Sequence, residues 1–175
     1  MLLLGACTTL LPNSTTETKT PWNSYADAEA MFSKIVPNQT TIAQLRELGV
    51  DPFKTPNVAL LSNADLLRRL VANASIDVSS LDPAVQQCLT RRVDCVGYEI
   101  EQTMMSKKRV GNFFADFLTF RQETDITGWQ FKAIVAVQDG VVIYKLWSGK
   151  PRIQEYERSV RPLGPLQNLG SRINY

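Results

Sequence analysis

The chain has 175 residues, enough for one domain of ordinary size with a real core, and its 44% hydrophobic and 21% charged content is globular. A formal charge of +2, with no basic run longer than Lys107-Lys108-Arg109, argues against a nucleic-acid binder, and no apolar run is long enough for a membrane-spanning helix. Histidine is absent, which removes His-based nucleophilic sites and the commonest transition-metal ligand. With no glycine-rich phosphate loop and no CxxC motif either, the sequence predicts no catalytic residues, no metal, no cofactor and no small-molecule substrate.

The chain opens with Leu4-Gly5-Ala6-Cys7, a leucine and two small residues ahead of a cysteine. This stretch resembles the lipobox of bacterial lipoproteins, in which the cysteine sulfur takes up diacylglycerol before the signal peptide is removed. The resemblance implies lipidation at Cys7, with residues 1–6 the remnant of a signal peptide. The plainer alternative is an apolar N-terminus with a free or buried cysteine. Thr8, rather than aspartate, follows the cysteine, which in enteric-type sorting implies the outer membrane. Residues 7–23 are rich in Thr, Ser, Asn and Pro without periodicity and read as a flexible tether. Residues 24–160 are expected to form a single α+β domain, followed by a C-terminal tail over 161–175.

Within that domain, Tyr25, Ala28, Phe32 and Ile35 have helical spacing, and Pro37 ends the helix. Thr41-Ile42-Ala43-Gln44 is a capping box, Ile42, Leu45 and Leu48 form the buried stripe behind it, and Gly49 is a C-terminal stop. Ser62 to Asp65 starts a third helix, with Leu66, Leu67, Leu70 and Val71 on one face. Asp82-Pro83 starts a fourth, whose Val85, Cys88 and Leu89 face inward. With Cys7 lipidated, Cys88 and Cys95 remain as a pair, for which an oxidising compartment makes a disulfide the default. Metal binding is the weaker alternative, since two thiols fill half a zinc site.

From Cys95 the period changes to two: Tyr98, Ile100 and Met104 alternate with Glu99, Glu101 and Thr103. Lys107 to Asn112 reads as a polar turn. Phe113 to Gln122 fits a helix or a strand, and its aromatic content favours strand. Asp139-Gly140 is a favoured two-residue hairpin turn, which pairs Val137 with Val142, Val135 with Tyr144 and Ala133 with Leu146. Trp129, Phe131, Ala133, Val135, Val137, Val142, Tyr144 and Leu146 are thus expected on one side. The opposite face then sets Lys132 against Trp147 beside an apolar patch of Ile134 and Ile143. Either the tail or a helix covers this patch, or Lys132, Ile134, Ile143 and Trp147 bind a partner. Glu99 and Glu101 form a carboxylate pair that reads as a solvated edge rather than an acid/base site.

Ile35-Val36-Pro37-Asn38-Gln39-Thr40-Thr41, then Gln44-Leu45, Leu48-Gly49 and Pro52, together with Trp129-Gln130-Phe131 and Val137 to Val142, resemble the SmpA/OmlA-type outer-membrane lipoproteins. Two departures stand out: Pro37-Asn38 replaces the usual Gly-Met, and about Val58 to Cys95 has no counterpart in the small members. The resemblance implies N-terminal helices packed on a three- to four-stranded antiparallel sheet. It also implies a non-enzymatic scaffold or accessory subunit of an envelope complex such as outer-membrane protein assembly, binding other envelope proteins and attached to the outer membrane through lipid on Cys7. The alternatives are a periplasmic inhibitor-type binding lipoprotein and, less favoured, a cell-envelope hydrolase.

Overall fold

The computed structural model describes residues 11–71, 78–90 and 95–163. The chain is mostly sheet, 45% strand against 26% helix, and this overturns the expected helices on a small sheet. Five strands form one sheet: β1 (Asn13–Glu17), β2 (Val58–Leu61), β3 (Cys95–Val110), β4 (Arg121–Gln138) and β5 (Val141–Val160). The order is β1-β3-β4-β5, and β2 pairs antiparallel with β3 in the register Val58 to Ile100 and Leu61 to Gly97. The helices are short: α1 (Tyr25–Ser33), α2 (Ile42–Glu47), α3 (Asn63–Leu70), α4 (Pro83–Thr90) and α5 (Phe113–Phe117). None of the described helices is long and apolar enough to cross a membrane.

The chain divides into two compact units. The larger holds residues 17–103 and 129–151. The smaller holds residues 1–16, 104–128 and 152–175. The three long strands β3, β4 and β5 each contribute one part to each unit. The tether reading fails over its second half. Asn13–Glu17 is a paired strand, Arg109 N–H donates to the Pro12 carbonyl at 3.3 Å, and Trp22 is buried. A polar strand has no apolar pattern to announce it; its order comes from backbone pairing to β3.

In the larger unit the caps explain the helix starts. Ser24 accepts from Asp27 N–H, and Ser62 accepts from Asp65 N–H. Thr41 and Gln44 exchange the two bonds of a capping box, at 3.4 and 2.9 Å. Two apolar clusters result. Trp22, Ala28, Met31, Phe32, Ile35, Leu45 and Val50, from α1, α2 and nearby loops, pack on Tyr98, Ile100, Phe131, Ala133, Val135, Val137 and Val142. Leu61, Leu66, Cys88 and Cys95 pack with Ala136 on the other face. Gly97 permits that second packing, since a Cβ there would stand 3.0 Å from both Leu61 and Leu66. Cys88 and Cys95 stand at disulfide distance, with Cα atoms 5.4 Å apart, tying α4 to the start of β3.

The smaller unit is built differently. Its strand segments are polar on both faces, and among its described residues only Leu11, Asp116, Ile126 and Ile153 are buried. The polar turn expected at Lys107 to Asn112 is displaced, because β3 continues to Val110. The strand expected from Phe113 is instead the short helix α5. Gly111 adopts a positive φ of 102°, and Asn112 caps the helix by accepting from Phe114 and Ala115 N–H at 2.9 and 3.2 Å. The cap outweighs the β-preference of the aromatic residues that follow.

Candidate functional site

The Asp139-Gly140 hairpin turn is present, with φ of 51° and 81° at its two residues. Beyond it, β5 does not alternate evenly. Val142 lies in the first cluster, yet Lys145, three residues on, reaches that same face: its ammonium donates to the Phe32 carbonyl at 3.1 Å and sits 4.9 Å from the Phe32 ring centroid. Burial there lowers the Lys145 pKa from its ordinary value. Ile143 and Tyr144 both pack on the second cluster instead. Even alternation is therefore broken between Val142 and Lys145, and Lys145 and Trp147 both reach the face of the first cluster.

The consequence falls on Trp147. It does not share a face with Lys132 and Ile143, as even alternation predicts, but stacks on Phe131 at 5.8 Å with an interplanar angle of 17°. Tyr25, at the start of α1, meets Trp147, Trp129 and Phe131 edge-on at 6.2, 6.4 and 5.8 Å. A Cβ on Gly149 would collide with the Gln130 carbonyl and stand 3.0 Å from the Tyr25 ring, so the glycine lets Tyr25 close over the strands. Phe131 is fully buried, whereas Trp147 stays 42% exposed. The result is an aromatic group with one large face against a rigid floor and the remainder open to solvent. Such a side chain loses little conformational freedom when a partner covers it, which is the physical profile of a binding hot spot.

The other residues singled out from sequence lie elsewhere. Lys132 is exposed and bonds Glu101 at 2.7 Å; Arg69 holds Glu99 at 3.0 Å. Each carboxylate of the pair thus has its own cation. Both line an open hollow with Thr18, Asn57 and Thr103. Ile134 and Ile143 are half-buried against the second cluster, beneath side chains of α3 and α4, so of the expected alternatives it is cover by helices that is found. Residues 164–175 of that tail, and Cys7, lie outside the described residues. Among the described residues no group of three or more His, Cys, Asp or Glu is placed to hold a metal ion.

Comparisons with family models, with curated proteins and with solved structures all find no match. Function therefore has to be argued from the residues alone.

A second surface, missed in the sequence, lies on the smaller unit at α5. Phe114 and Phe117 are 66% and 70% exposed, and Leu118 and Phe120 are exposed beside them. Phe113 stacks on Phe117 at 5.8 Å and meets Phe114 edge-on at 5.6 Å, so the rings form one cluster. The helix ends at Thr119, whose φ of 58° is the left-handed conformation that glycine usually supplies at this position. A β-branched residue there is strained by about 1–2 kcal/mol. The signal that marks this turn is Gly111-Asn112, a strand breaker followed by a helix cap, read ahead of the aromatic run.

Proposed function

We propose that this chain is a non-enzymatic lipoprotein, held through lipid on Cys7 at the periplasmic face of the outer membrane, that binds another envelope protein as a scaffold or accessory subunit. The observation that carries the reading is Trp147, braced by Phe131 and Tyr25 yet open on its remaining surface. A fixed, partly exposed tryptophan supplies a large apolar contact at small entropic cost. The lipobox-like Leu4 to Cys7 and the resemblance of residues 35–52 and 129–142 to SmpA/OmlA-type lipoproteins supply the compartment.

The test is affinity capture from detergent-solubilised envelope, with mass spectrometry of the mature N-terminus. The expected result is an acylated Cys7 and co-purification of envelope assembly proteins. Trp147→Ala should reduce that capture at least tenfold, while Trp147→Phe, which keeps an aromatic ring on Phe131, retains much of it. Capture of a single soluble enzyme would make the chain an inhibitor-type binder, and turnover of a wall or lipid substrate by the purified protein would overturn the non-enzymatic reading. An unmodified N-terminus on protein recovered from the cytosol would remove the anchor.

A further inference from the structure

The exposed rings of α5 do not belong to the Trp147 group, and the residues around them have a definite charge. From Lys107 to Glu123 the chain carries Lys107, Lys108, Arg109 and Arg121 against two acids, Glu123, which pairs with Arg121 at 2.5 Å, and Asp116. Asp116 is buried, and Arg109 closes it off at 2.9 Å. Arg161 adds a further cation beside the turn, because its N–H donates to the Phe120 carbonyl at 2.8 Å. The aromatic cluster is thus fringed by cations whose nearby counter-charge is already spent internally. Lys107 and Lys108 are exposed, with no acidic partner among the described residues.

The course of the N-terminus supplies an independent observation. Pro12 accepts from Arg109 N–H, so Pro12 lies beside β3 two residues before Gly111 and four before α5. Leu11 is buried there. Only four peptide steps separate Leu11 from Cys7, a reach of about 15 Å when fully extended. An acyl group on Cys7 would therefore enter a bilayer close to the Phe113–Phe120 turn, and not at the end of a long leash.

We propose that this turn is a second membrane contact, in which Phe114, Phe117, Leu118 and Phe120 enter the interfacial layer of a bilayer while Lys107, Lys108 and Arg161 face its anionic headgroups. The proposal rests on the lipid-anchored reading above, which is what brings the turn to a membrane. Aromatic and aliphatic side chains on a protruding turn insert without needing a complementary groove, and flanking cations add attraction that falls with salt. Two points of attachment, acyl chain and turn, fix how the body is held over the surface. One point leaves it free to swing.

The test separates the turn from the acyl anchor by using the full-length chain with Cys7→Ser. Flotation is measured with vesicles of phosphatidylglycerol and phosphatidylethanolamine, and with vesicles of phosphatidylcholine alone. The unlipidated chain should float with the anionic vesicles and show at least tenfold weaker partition to the neutral ones. The double variant Phe114→Ala with Phe117→Ala should lower anionic partition at least tenfold without changing the urea midpoint. Lys107→Gln with Lys108→Gln should lower it several-fold and flatten its salt dependence. Partition unchanged by the phenylalanine pair, or absent from both vesicle types, overturns the proposal. So does loss of a captured protein in the phenylalanine variant with flotation intact, which would make the turn a protein-docking surface. Failure here leaves the Trp147 capture result untouched, and failure of that capture leaves flotation untouched, so the two readings fall separately.

Discussion

The two units of this chain use the same three long strands to opposite ends. In the larger unit β3, β4 and β5 carry apolar side chains that helices cover on both faces, and large residues such as Phe131, Ile35, Leu45, Leu66 and Ile100 are fully removed from water. In the smaller unit the continuation of those strands is polar, four described residues are buried, and the largest apolar side chains point outward from α5. Burial at about 25 cal/mol per Å² gives the first its stability. The second depends on backbone ladders and on ion pairs at Glu123, which holds Arg121 of its own strand at 2.5 Å and Arg158 of β5 at 3.7 Å. Exposed rings in a unit so short of core are apolar surface withheld from folding, and surface of that kind marks interaction.

The contrast can be tested most strongly at the rings themselves. Phe131→Ala should destabilise the protein by about 3–5 kcal/mol in urea unfolding, whereas Phe114→Ala should cost less than about 0.5 kcal/mol. Comparable losses at the two sites would erase the distinction. Next in size is the tie between α4 and β3. Replacing Cys88 and Cys95 together by alanine should cost about 2.5 kcal/mol on the chain-entropy model for so short a loop. Amide exchange should rise first in α4 and at the start of β3, and an unchanged midpoint would show that the pair contributes nothing.

The smallest effect concerns acid. A hydrogen bond from Arg121, then one from Tyr156, with the nearby charges of Arg121 and Arg158, lowers the Glu123 pKa below its ordinary value. A carboxyl depressed in the folded state adds stability above its unfolded pKa of about 4.3, and that stability is lost as pH falls through the folded value. Lowering pH from about 6 to about 3 should therefore reduce amide protection, taken relative to the intrinsic exchange rate at each pH, over Arg121 to Thr127. Glu123→Gln should remove that part of the pH dependence; a variant with the same acid response would assign it elsewhere.

How much of this was legible in the sequence follows the range of the interactions involved. The helix pair at Tyr25 to Gly49 and the turn at Asp139-Gly140 are written in caps and turn residues a few positions apart, and both are found where expected. The start of β3 at Cys95 is also visible as a change of period. Strands β1 and β2 were not legible, because a polar segment and a four-residue segment become strands only when β3 offers a partner. The break in alternation at Ile143-Tyr144 was not legible either. Alternation in the sequence continues through it, and only Phe32 and Tyr25, more than a hundred residues earlier, show which way Lys145 and Trp147 turn. For the candidate site, sequence therefore found Trp147 but set it on the wrong face. It missed the α5 rings, because their spacing suits a strand as well as a helix.

The loop between α1 and α2 has an effect beyond joining them. Thr40 accepts from Val142 N–H at 2.8 Å, Asn38 donates to the Val142 carbonyl at 2.7 Å, and Thr41 forms a bridge with Val141. The margin of β5 beside its hairpin is thereby sealed by the chain's own backbone. A neighbouring copy arriving there finds no vacant donor or acceptor at Val142, and strand-to-strand polymerisation is blocked at that point.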